Sequence, residues 1–165
     1  MYLHIVLHCI FYHSFQYDKV EQEYWDMAAD MAVENTILEI SFPDIALRQD
    51  EDAERKLHWM RIDAGGLTAE KIYRYFKRNG MGPIEKKELT ALFYQDAHIH
   101  WKQQEEISIS QEQWKKISER VKTDLKTFSQ DKNHSESLEK NLAEANRDKY
   151  DYGELLRRFT VMDRP

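Results

Sequence analysis

Met1-Tyr2-Leu3-His4-Ile5-Val6-Leu7-His8-Cys9-Ile10-Phe11-Tyr12 opens the chain as a nearly unbroken apolar run that carries two histidines. The run has no basic start and no small-residue cleavage site, and it is too short to span a bilayer. It therefore does not read as a targeting or membrane segment. It reads as part of a helix over residues 1–15 that is buried on all sides. Such a helix needs covering, either by later helices or by sequence that preceded it. On a helix, positions i and i+4 share one face, so the imidazoles of His4 and His8 can reach one ion from one rigid support.

After a polar break at residues 14–18, residues 20–40 have helical spacing, with Tyr24, Met27, Ala28, Met31, Ile37 and Leu38 near one side. On the same stretch Asp26, Asp30 and Glu34 stand four apart and form an acidic stripe. Charged groups on so apolar a helix tend to be paired or bound to metal. Pro43 disfavours helix at Phe42 and ends the element. A charged stretch (48–56) follows, then Leu57-His58-Trp59-Met60 and Gly65-Gly66. Thr68 is the expected N-cap of a helix through Asn79, with Ile72, Tyr75 and Phe76 inward and Gly80 as its stop. Gly80-Met81-Gly82-Pro83 is a turn. Residues 85–94 read as a helix, with a strand around Leu89, Leu92, Phe93 and Tyr94 as the alternative. Ser110-Gln111-Glu112-Gln113 has capping-box spacing and opens a helix to about Phe128. Polar residues 129–137 precede a charged helix over 138–149 and a last helix over 150–161, in which Leu155, Leu156 and Phe159 face inward.

The 165 residues suit one domain, and five Gly and three Pro leave little punctuation for a sheet, so the expected class is mainly α. Within it, residues 1–45 are the expected metal-site helices and 46–101 a middle helical region. Residues 102–165 form a peripheral layer of charged helices, because apolar residues are sparse over 102–149. A net charge of -6 with no dense Lys/Arg face argues against a nucleic-acid partner. Cys9 is the only cysteine, so no internal disulfide can form and a reducing cytoplasm fits.

Zinc accepts imidazole nitrogen at roughly 2.0–2.1 Å and needs at least one further protein ligand, which the acidic stripe can supply. Against this stands a metal-free reading, since seven histidines make a chance pair easy to obtain and the stripe can face water. His13, nine residues after His4, falls on the opposite side of a continuous helix and is expected to be a hydrogen-bonded structural residue. Cys9 faces away from the pair and reads as a small buried residue.

Four separated stretches resemble, in order, the metallopeptidase domain of bacterial von Willebrand A-like proteins. They are His4-Ile5-Val6-Leu7-His8 running on to Phe15, Trp25-Asp26-Met27-Ala28-Ala29-Asp30 running on to Glu34, Asp96-Ala97-His98-Ile99-His100-Trp101, and Tyr150-Asp151-Tyr152-Gly153-Glu154 running on to Phe159. The resemblance implies a zincin-like helical domain that binds zinc through His4, His8 and Asp30, with His98 and Trp101 in the surrounding packing. It also implies a protein partner, either an AAA-type ATPase or a von Willebrand A-like domain of the same protein. Two departures matter. Family members extend further at both ends, which marks this chain as a truncated one. And Ile5 stands where the family's His-Glu-x-x-His motif has its general base. That glutamate takes the proton of zinc-bound water, help worth roughly 10²–10⁴-fold, which isoleucine cannot give. Three functions follow: a metal-binding domain degenerate as a peptidase, an active zinc metallopeptidase with an unconventional base such as Glu34, or a metal-free helical interaction module.

Overall fold

The computed structural model describes residues 2–40, 50–98, 101, 108–128 and 135–147. Among them the regular elements are helical and there is no strand, so the mainly α expectation holds. The order is α1 (Tyr2–Ile10), a 3-10 segment (His13–Lys19), α2 (Gln22–Ile40), α3 (Glu51–Ala64), α4 (Ala69–Asn79), α5 (Pro83–Phe93), α6 (Ser108–Phe128) and α7 (Glu136–Ala145). No helix among the described residues is long and apolar enough to cross a membrane. The expected helix end at residues 41–44 and the expected last helix over 150–161 lie outside the described residues.

Helix α2 is the hub, touching α1, α4, α5 and α7. One of its sides offers Trp25, Met27, Ala28, Met31 and Ala32 to a core shared with Ala53, Leu57 and Met60 of α3, Ile72 and Phe76 of α4, and Leu89 and Phe93 of α5. Its other side places Val33, with half-buried Ile37, against Leu7, Ile10 and Phe11 and against Leu142 of α7. Helices α2 and α6, with Leu142 of α7, therefore cover the first helix. Helix α7 is also more than a peripheral layer, because Leu142 is fully enclosed and Ser137 hydrogen-bonds buried Thr36 of α2 at 2.7 Å.

Several elements depart from the sequence reading. Helix α1 stops at Ile10 instead of running to residue 15, because Tyr12 turns into the left-handed region at φ 61 and the chain re-enters as a 3-10 segment. Nor is α1 buried all round. His4, Leu7, His8 and Ile10 are enclosed, while Tyr2, Leu3 and Ile5 are exposed. The charged stretch after residue 48 contains the start of a full helix, α3. Asp50 caps it by accepting from the amides of Asp52 and Ala53, and Ala53, Leu57 and Met60 supply a buried stripe. The middle of the chain follows expectation. The Thr68 hydroxyl accepts from the Lys71 amide to start α4, and Gly80, at φ 76, ends it where a side chain would be strained.

Candidate metal centre

Three parts of the fold meet behind the buried face of α1. The helix itself brings His4 and His8, each 2% exposed. Helix α2 brings the Asp26, Asp30 and Glu34 stripe. The short segment after α5 brings Asp96 and His98. One ligand atom from each of His4, His8, Asp30, Asp96 and His98 falls in a single cluster, all within 4.8 Å of one another.

The spacings inside this cluster are short. His4 Nε2 lies 2.9 Å from His8 Nε2, 3.1 Å from Asp96 Oδ1 and 3.4 Å from Asp30 Oδ1. Asp30 Oδ1 is also 3.2 Å from His8 Nε2 and 3.1 Å from His98 Nε2, and Asp96 Oδ1 is 3.2 Å from His98 Nε2. Nevertheless Asp30 Oδ1, Asp96 Oδ1 and His98 Nε2 are buried with no hydrogen-bond partner. They are close enough to attract but are not aligned as donor and acceptor. Buried polar atoms without aligned hydrogen bonds are costly, and a cation shared among these three would satisfy all of them at once.

The outer nitrogens of the same rings are held as well. His4 Nδ1 donates to Glu34 Oε1 at 2.7 Å. His98 Nδ1 is 3.1 Å from Asp26 Oδ1, an oxygen that also accepts from the Gln22 amide. His8 Nδ1 is 2.9 Å from His13 Nδ1. With a proton held on each outer nitrogen, Nε2 is the atom each ring would offer to an ion in the cluster. His13 then serves as a neutral acceptor, and burial holds its pKa well below the ordinary value. Because α1 ends at Ile10, His13 comes round behind His8, and Trp25 fixes the turn by donating to the His13 carbonyl at 2.9 Å. His13 is thus hydrogen-bonded and structural, as the sequence suggests, but it is placed by a turn and not by a continuous helix.

Electrostatics mark the same spot. Burial disfavours charge on His4, but the carboxylates of Asp30, Asp96 and Glu34 outweigh it and push the ring up to about 10. In His98, too, burial is overcome, by Asp26, Asp30 and Asp96, and the ring reaches about 11. His8 goes the other way, because burial and the neighbouring His4 and His98 together exceed the pull of Asp30. Asp30, although buried, is held below the carboxylate range by the three imidazoles. Contacts with His4 and His98 do the same for Asp96 against its partial burial.

No protein-family model, curated protein or solved structure matches this chain. The site therefore rests on its own chemistry. Of the residues the sequence marked, His4, His8 and Asp30 are brought together. Glu34 and Asp26 stand on the far sides of two rings. Cys9 is half-buried and outside the cluster, with its thiol pushed up by burial. Sequence reasoning assigned His98 to the surrounding packing and gave Asp96 no role, yet both contribute atoms to the centre. The available signal was Asp96-Ala97-His98 just past a helix end, because alternate residues of a non-helical segment can face the same way. Trp101 does belong to the packing, stacked on His98 with ring centroids 3.8 Å apart.

Proposed function

We propose that this chain is a helical metal-binding domain holding one divalent transition-metal ion on His4, His8, Asp30, Asp96 and His98. The observation that carries the reading is the group of buried atoms without aligned hydrogen bonds inside a five-donor cluster. Imidazole and carboxylate together suit zinc and the neighbouring first-row ions, and a bound ion would act there as a Lewis acid or as a cross-link between α1, α2 and the 94–98 segment. Peptide hydrolysis is not part of the proposal. Ile5, at the position of the zincin base, is 45% exposed and outside the cluster. Glu34, the alternative base, is engaged with His4 Nδ1.

A metal-free reading draws on one observation of its own. Protonated His4 and His98 can pair with ionised Asp30 and Asp96 without any ion. One experiment separates the two. The purified chain is stripped with chelator, titrated with zinc, iron(II), manganese(II), cobalt(II) and nickel(II), and melted with and without each. Uptake of one equivalent of at least one ion, with a raised Tm that a His4→Ala/His8→Ala variant loses, is the expected result. Uptake well under one equivalent for every ion, with an unchanged Tm, overturns the proposal and leaves the ion-pair network as a structural device.

A further inference from the structure

We infer that the centre is built for an ion of five- or six-fold coordination with one exchangeable position, and not for the four-coordinate zinc of a zincin-type site. The inference rests on the metal-binding proposal and concerns what kind of ion, and what further ligand, the same site takes.

Donor number is the first argument. Structural zinc sites close at four protein ligands, and catalytic ones use three plus a water. Here five side chains deliver an atom to one cluster. A tetrahedron cannot seat them.

Spacing is the second argument. Donors about 2.1 Å from an ion stand about 3.0 Å apart at the right angles of an octahedron and about 3.4 Å apart at the corners of a tetrahedron. Three separations, His4 to His8 at 2.9 Å, His4 to Asp96 at 3.1 Å and Asp30 to His98 at 3.1 Å, fall at the octahedral value, two at 3.2 Å lie midway, and only His4 to Asp30, at 3.4 Å, falls at the tetrahedral one. Three imidazoles with two carboxylates is also a mixed set, suited to iron(II), manganese(II), cobalt(II) or nickel(II). The two carboxylate charges cancel those of the dication.

Five donors leave one corner of an octahedron open. The burial pattern says on which side. His4, His8 and Asp30 are each 2% exposed, and His8 is backed by fully enclosed His13. The Asp96 side chain, by contrast, is 25% exposed, the most of the five donors. Solvent therefore reaches closest to the centre beside Asp96. The open position takes a small ligand there, such as water or a small anion.

The test uses the intact chain loaded with cobalt(II), whose visible absorption reports coordination number. The expected spectrum is the weak one of a five- or six-coordinate ion, and its bands shift when azide is added. An intense blue, four-coordinate spectrum overturns the inference while leaving the metal-binding proposal standing. A weak spectrum that azide does not move overturns the exchangeable position. No uptake of cobalt(II), or of any other ion, overturns the metal-binding proposal, and this inference with it. An Asp96→Ala variant adds a check that needs no activity. It should still bind cobalt(II), more weakly, and should shift its bands without azide. A spectrum identical to that of the unaltered chain takes Asp96 out of the donor set.

Discussion

Helix α2 separates two interiors built on opposite physics. On one side Met27, Ala28, Met31 and Ala32 join Leu57, Ile72, Phe76, Leu89 and Phe93 in an apolar core. Each large side chain there stabilises the fold by roughly 1.5–3 kcal/mol through removal from water. On the other side Asp30 and the imidazoles of His4, His8 and His98 are as deeply enclosed, yet every one of them loses hydration on folding. The apolar core holds together from area alone. The polar one is tolerable only while its charges find each other or a common ion. The first interior thus explains why the chain folds, and the second is where the proposed ion would sit.

Removing the group that ties the polar interior together gives the largest effect. Asp30→Ala takes away the oxygen next to three imidazoles, so the chain should lose stoichiometric metal altogether, as read by elemental analysis after desalting. Retention of a full equivalent breaks the assignment of Asp30 to the centre.

Phe76→Ala attacks the apolar side instead. Phe76 is wholly enclosed, and its truncation should cost about 3–5 kcal/mol in urea unfolding. Metal affinity should stay within a few-fold wherever the variant remains folded. A tenfold change would show that the two interiors are energetically coupled across α2.

Acidity sharpens the contrast, because only the polar interior titrates. Metal-free His4 and His98, raised from an ordinary 6.5 to about 10 and about 11, stay protonated at neutral pH, so an entering cation displaces both protons. Metal affinity should therefore rise steeply between pH 6 and 8, by about tenfold per pH unit for each proton released. Calorimetry in two buffers of different ionisation enthalpy counts those protons, and a count of zero contradicts the protonation of His4 and His98 in the metal-free chain. Stability of the metal-free chain follows the same groups. Raised imidazoles contribute fully below pH 6.5, and that contribution is lost as pH climbs through about 10. The depressed carboxylates Asp30 and Asp96 contribute above about pH 4 and lose that contribution on acidification. Thermal melts should thus decline toward pH 10 without metal and much less with it.

The smallest effect belongs to the outer partners. Glu34→Ala should weaken metal binding about 10–100-fold by freeing the His4 ring, and Glu34→Gln should lose less because its amide oxygen still accepts from Nδ1. Equal losses would mean that charge, and not ring orientation, is what Glu34 supplies.

Much of this was readable from local pattern. The Thr68 cap, the Gly80 stop and the Ile72 and Phe76 stripe of α4 each rest on neighbours within a turn or two, and the structure has them. The acidic stripe on α2 and the His4–His8 pair were visible for the same reason. What escaped depends on direction more than on periodicity. Apart from its two histidines α1 is apolar all round, which gave no hint of which face would be left outside, and the structure exposes Tyr2, Leu3 and Ile5 while enclosing both histidines. The charged character of residues 50–56 masked α3, whose buried stripe is only Ala53, Leu57 and Met60.

By itself the amino-acid order determined that this protein is helical, where several helices begin and end, and that two imidazoles one turn apart accompany carboxylates spaced by four. Only the tertiary structure decided that Asp96 and His98 complete the group, that His13 swings behind His8 through the turn at Tyr12, and that Glu34 and Asp26 hold rings from outside. The reason is physical. Helical spacing is enforced by hydrogen bonds between near neighbours, whereas a five-donor cluster exists only once packing has set α1, α2 and the 94–98 segment against one another.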